Sequence, residues 1–161
     1  MTYIELKQCF SDWVLEKKLT DKHGFYLEDL SIDMSASMEK TISAQDVETF
    51  AALSGDNNPI HLDDEYAKST SFGQRIVHGM FSAALISAVA GTKMPGPGGV
   101  YLSQELKFRK PIFIGDTAVA TLTITDINER RGRVTMRTDV HVADKLVVSG
   151  EATYMVDKRP A

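Results

Sequence analysis

The sequence predicts an α+β domain in which one long central helix is wrapped by a curved antiparallel sheet of about five strands. Two observations carry this reading. Met80 to Ala90 is apolar on nearly every side and rich in alanine, with Ser82 and Ser87 as its polar side chains, so it reads as a buried helix that neighbours surround on all faces. Everything after Val100 reads as strands: Val100 to Phe108, Thr117 to Asn128, Arg133 to Ala143 and Leu146 to Val156, each alternating or β-branched. Gly115-Asp116, Arg131-Gly132 and Asp144-Lys145 mark the turns, and strands joined so briefly run antiparallel. The helix is the obvious filling for the concave face of such a sheet.

Taken in order, Met1 to His23 places Leu6, Phe10, Trp13, Val14 and Lys17 at helical spacing, an amphipathic helix that Gly24 ends. Residues 1–24 are thus an N-terminal helical extension and residues 25–161 a single domain. Phe25 to Met34 is irregular, and Met38, Lys40 and Ile42 alternate as in a short strand. Ser43 opens the next helix, with Asp46 completing a capping box, and Val47, Phe50, Ala51 and Ser54 line one face as far as Gly55. Asp63, Asp64 and Glu65 favour the start of a one- or two-turn helix from Asp64 to Ser69. Thr92 to Gly99, with Pro95, Gly96, Pro97, Gly98 and Gly99, is expected to lie beside the reactive elbow, Gly55 to His61, as a connector or a lid, the connector favoured.

With 161 residues the chain suits one domain, and no internal repeat shows. No apolar run approaches the roughly 20 residues that cross a bilayer, and Glu5, Lys7 and Asp12 break up the start, so no membrane is expected and the expected location is cytoplasmic. The single cysteine, Cys9, permits no internal disulfide and no cysteine-held zinc. A formal net charge of -4 argues against nucleic acid as the main partner.

The stretch from Phe50 to Ala67 holds the chemistry. Gly55 can take the left-handed conformation that stops a helix, and Pro59 fixes its own backbone and extends Asn58, so the chain from Gly55 to His61 is a stiff elbow. Asp56 and His61 on such an elbow can converge on one small reactant, typically water, one group taking a proton while the other holds or donates one. Residue types and spacing alone leave a second reading open, in which Asp56 caps a turn and His61 packs in the core.

The run Gly55-Asp56-Asn57-Asn58-Pro59-Ile60-His61, continued to Ala67, resembles the signature of the MaoC-like, R-specific enoyl-CoA hydratases of the hot-dog fold. His78-Gly79-Met80 and Lys110-Pro111-Ile112-Phe113-Ile114-Gly115-Asp116-Thr117 resemble that family's pattern in the same order, so the likeness covers roughly Phe25 to Val156. It implies that Asp56 and His61 bind and activate water, and that the backbone N–H of Gly79 receives the thioester oxygen of an enoyl-CoA. Losing one such donor costs on the order of 3 kcal/mol in other systems. The likeness also matches Ser87 to a supporting serine near the aspartate.

Asn58 is expected to hold the elbow through side-chain hydrogen bonds, and His78 to flank the acyl channel or to pack at the helix entrance. Lys107, Arg109 and Lys110 form a basic cluster suited to the phosphates of coenzyme A, or else a solvated strand face. His23 and His141 receive no role. Met80, Phe81, Met94 and the Pro/Gly loop are candidates for setting acyl depth. No metal and no cofactor are expected, coenzyme A being part of the substrate, and the sheet is expected to pair with a second copy as a homodimer. Rival readings keep the fold: a dehydratase on an acyl-carrier-protein or branched dicarboxylic substrate, a thioesterase, which the lack of a carboxylate in the helix disfavours, or a non-catalytic acyl-binding subunit.

Overall fold

The computed structural model describes residues 22–160, so the amphipathic helix expected up to His23 lies outside the described residues but for its last two positions. After a single 3-10 turn at Leu27–Asp29 come β1 (Ser35–Thr41), α1 (Ala44–Ser54), α2 (Pro59–Leu62), α3 (Asp64–Lys68) and α4 (Gly79–Thr92). Four strands follow, β2 (Val100–Phe108), β3 (Thr117–Asn128), β4 (Arg133–Val142) and β5 (Lys145–Met155). They make one five-stranded sheet in the order β1-β3-β4-β5-β2, with every neighbouring pair antiparallel. This is the α+β hot-dog architecture, with α4 as the filling.

Side-chain alternation builds the core directly. Ala118, Ala120, Leu122 and Ile124 of β3 and Val134, Met136, Thr138 and Val140 of β4 are buried, while the residues between them are more open. Against that inner face α4 buries Phe81, Ser82, Leu85, Ile86, Val89 and Ala90. At roughly 25 cal/mol per Å² of apolar surface, this layer supplies the main driving force of folding.

Local chemistry accounts for the element ends. The Ser43 side chain accepts from Asp46 N–H while the Asp46 carboxylate accepts from Ser43 N–H, so aspartate completes the capping box that opens α1. Gly55 closes α1 at φ 79, in the left-handed region.

Three expectations need correction. First, α4 is not enclosed on every side: Met80, Ala84 and Ser87 form an exposed stripe, with Met80 59% exposed. A single curved sheet covers one side of a helix, and an apolar helix surface reads the same from sequence whichever body covers it. Second, the Pro/Gly loop is not beside the elbow. It follows the C-terminus of α4, a helix of 14 residues and therefore about 20 Å long, and elbow and loop sit at opposite ends of it. There Gly24 N–H donates to the Pro97 carbonyl and Phe25 N–H to the Pro95 carbonyl, and Met94 is buried. Third, the β4–β5 hairpin turns at Ala143 and Asp144, with Ala143 at φ 49, one residue earlier than expected.

Candidate active site

The elbow is tighter than its sequence suggested. Asn58, at φ -58 and ψ 126, caps α2 by accepting from Ile60 N–H at 3.2 Å, and Pro59 occupies the first turn, where its missing N–H costs nothing. This one-turn helix carries His61, only 8% exposed. Beside it the segment Ile76 to His78 runs between the elbow and the strap before β3. Ile76 N–H donates to the Ile60 carbonyl, and Val77 N–H to the Ile112 carbonyl.

His61 Nδ1 lies 2.8 Å from the Ile76 carbonyl. A carbonyl only accepts, so Nδ1 carries the proton and Nε2 keeps a lone pair in the neutral ring. Burial holds the His61 pKa below its ordinary value of 6.5, with neighbouring His78 acting in the same sense; the Ile76 carbonyl and the Asp56 carboxylate pull the other way. Neutral His61 is therefore an acceptor at physiological pH.

Asp56 itself is exposed and does not line the hollow at the head of α4, and His78 is 1% exposed. One ligand-type atom from each of Asp56, His61 and His78 lies within 4.8 Å of the other two. The two imidazoles lie against each other in a tilted arrangement, with ring centroids 3.8 Å apart and planes 30° from parallel. The cluster is suited to proton handling.

Gly79 is the first residue of α4, and no side chain caps the helix at His78; Phe81 N–H donates to the His78 carbonyl, which leaves the N–H groups of Gly79 and Met80 to meet a ligand. A hollow of about 330 Å³ opens there, lined among others by His61, Phe72, His78, Gly79, Ser82 and Phe108. A Cβ on Gly79 would stand 3.0 Å from the Phe108 ring, so glycine allows the aromatic ring and the helix N-terminus to approach.

Other candidates divide. Arg109 and Lys110 line the hollow, and Arg109 Nε donates to Ser149 Oγ at 2.7 Å. Lys107 does not line it; this exposed side chain pairs with Glu105 at 3.4 Å. Ser87 stands on the open stripe of α4 and lines a separate apolar hollow with Phe50, Met80, Tyr101, Leu106 and Phe108. Met80 belongs to that second hollow and Met94 to neither, so neither sets the depth of the first; Val77, Ser82, Ile112 and Val148 line it instead. Sequence reasoning missed Ser82, although it lies one helical turn beyond His78, and it missed the Ile76 carbonyl, for which no residue-type signal exists.

Fold and site together define a hot-dog protein that sets an acid beside an imidazole, the imidazole lining an apolar hollow at a helix N-terminus. The chain matches the family described as MaoC like domain over residues 30–145, and it belongs to that family. It is 52% identical over 134 residues to an (R)-specific enoyl-CoA hydratase of Rhodospirillum rubrum, covering 83% of this chain and 93% of the relative. A 3-hydroxybutyryl-CoA dehydratase of Methylorubrum extorquens is 44% identical over 141 residues, covering 88% of this chain and 90% of its own length. The solved structure of the R-hydratase PhaJ1 from Pseudomonas aeruginosa, unliganded, matches with a TM-score of 0.80 at 42% identity, covering 84% of this chain and 88% of that one.

Proposed function

We propose that this chain is an R-specific enoyl-CoA hydratase, a hydro-lyase that reversibly adds water to a trans-2-enoyl-CoA to give the (3R)-hydroxyacyl-CoA without a cofactor. The observation that carries the reading is the Asp56 carboxylate within 4.8 Å of ring nitrogens of His61 and His78, two residues that line an apolar hollow together with Gly79 at the N-terminus of α4. Water held between Asp56 and His61 Nε2 bonds through its oxygen to the β-carbon as Asp56 takes one of its protons. The electron pair of the double bond moves toward the thioester oxygen, where Gly79 N–H and the helix dipole meet the developing charge. The α-carbon then receives the proton that the Asp56–His61 pair took from water, and the new hydroxyl keeps the other. His61 enters as an acceptor because its own proton is committed to Ile76.

Arg109 and Lys110 at the hollow suit the phosphates that coenzyme A carries. The same reading includes a cytoplasmic location and a homodimer. No helix among the described residues is long and apolar enough to cross a membrane. The dimer is supported by the open stripe of α4 and by β2, which is an edge strand bearing exposed Val100, Leu102 and Phe108.

Loss of enoyl absorbance with crotonyl-CoA, followed by chiral analysis of the product, tests the reaction. Wild type is expected to yield the R product, and Asp56→Asn and His61→Asn to lose it. A folded wild type inert on short and medium enoyl-CoAs would sink the reading in favour of an acyl-carrier-protein dehydratase or a binding subunit.

A further inference from the structure

His78 meets the elbow, α1, α2 and the head of α4. It is the N-cap of α4, immediately before Gly79. Its Nε2 lies 2.9 Å from the backbone carbonyl of Asp56, 22 residues earlier in the chain. Its ring packs, tilted by 30°, against that of His61 of α2 at 3.8 Å and lies 5.1 Å from the ring of Phe50 on α1. Its Nδ1 is buried and meets no partner among the described residues.

A carbonyl accepts and never donates, so the contact with Asp56 requires a proton on Nε2. In the neutral ring that leaves Nδ1 bare, which agrees with the lack of any acceptor beside it. The Asp56 carbonyl is one bond from the Cα that carries the catalytic carboxylate. Holding it leaves the carboxylate only its two side-chain torsions to explore. The same residue fixes where α4 begins, and hence where Gly79 N–H stands, and its flat ring limits the tilt of His61.

We propose that His78 is a positioning residue, a clamp whose Nε2–H sets the distance between the Asp56 carboxylate and the Gly79 oxyanion donor while its ring holds the plane of His61. Its one proton is spent on a backbone carbonyl, so it donates none to the reaction. The proposal rests on the hydratase reading and adds a separate requirement to it: the acid on the elbow and the donor on the helix are held in register by one side chain. A displacement of about 1 Å between reacting groups can cost about 100-fold in rate while leaving the pocket able to bind. The clamp therefore acts on kcat and spares KM.

Three variants separate its parts. His78→Gln puts an amide N–H near the Nε2 position without the ring, His78→Phe keeps a flat ring without the donor, and His78→Ala keeps neither. With crotonyl-CoA, His78→Phe is expected to lose about 30- to 100-fold in kcat with KM within about threefold. His78→Gln should recover at least about tenfold of that loss, and His78→Ala should fall lowest. A folded His78→Phe that keeps kcat within threefold of wild type overturns the clamp, as does a folded His78→Gln no better than His78→Phe. Should the variants melt far below wild type, 15N spectra of the histidine-labelled wild-type chain decide: protonated Nε2 with bare Nδ1 at His78 supports the clamp, and a bare Nε2 overturns it. That spectrum needs no substrate, so failure of the hydratase reading and failure of the clamp are told apart.

Discussion

The two hollows that meet at Phe108 are built in opposite ways. The first is finished within one chain. Its histidines are buried, each with one ring nitrogen bound to a backbone carbonyl, and its polar groups come from the elbow, the segment at Ile76, the head of α4, and Arg109 and Lys110 just after β2. The second, along Met80, Ala84 and Ser87, is apolar and open, and it borders the unpaired edge of β2. Groups that must hold a proton at a fixed place need short bonds to rigid backbone, which one chain supplies locally. A surface that has only to hold an acyl chain or a second sheet needs shape and area, and these another body can provide.

The sharpest break between the two regions is Asp56→Asn. The carboxylate is exposed and accepts only a long contact from Asn58 N–H at 3.4 Å, so the substitution should leave the melting temperature within a degree or two. Removing a proton acceptor from the reacting water should cost about 10³-fold in kcat on crotonyl-CoA. Activity within tenfold of wild type would remove Asp56 from the role of base.

His61 allows the same separation by pH. Burial lowers its folded pKa below 6.5, the value it regains on unfolding. Between those two values the unfolded chain binds more protons than the folded one. Stability is therefore fully present above about pH 6.5 and is lost as pH falls through the folded value. The neutral ring is the acceptor, so kcat/KM should fall about tenfold per unit on an acid limb whose midpoint lies below 6.5. In His61→Gln both the limb and this share of the acid destabilisation should vanish. An acid limb centred at or above 6.5 would contradict a desolvated, neutral His61.

Gly79→Ala tests the border between the hollows. The new methyl would meet the Phe108 ring at 3.0 to 3.3 Å, and this ring is 54% exposed and able to swing away, so the fold should survive. The N–H donor is kept but its approach is crowded. A loss of about tenfold in kcat/KM is expected, well short of the loss that follows removal of an oxyanion donor outright. Unchanged kinetics would place the thioester away from Gly79.

How far the sequence reveals these regions depends on how local their causes are. Ser43 with Asp46, Gly55, and Pro59 after Asn58 act within a few residues, so α1 and the elbow are legible from residue types alone. The alternation of β3 and β4 is equally local, and it shows the inner face of the sheet. The His78 bond to the Asp56 carbonyl is not legible, because a contact between a side chain and a backbone group 22 residues away leaves no pattern in residue types. The open face of α4 is illegible for another reason. Alanine and methionine are as suitable against a second copy as against the chain's own sheet, so hydrophobicity marks burial without saying by what.

The smallest expected effect on chemistry comes from the open side. Met80, 59% exposed, lies at the start of the apolar stripe and lines the second hollow with Ala84, Ser87 and Leu106. Met80→Glu would place a carboxylate where a second copy is proposed to sit, and desolvating it there would cost more than the contact returns. Light scattering should show the mass shift from dimer toward monomer. The bonds that hold His61 and His78 to the Ile76 and Asp56 carbonyls all lie within one chain, so the proton-handling groups should stay in place. KM for crotonyl-CoA should therefore rise several-fold while kcat falls by about threefold or less, because the lost surface holds substrate without moving protons. A fall in kcat as deep as that of Asp56→Asn, in a folded monomer, would mean that the second copy contributes to the chemistry itself, and the division between a finished and an unfinished hollow would fail.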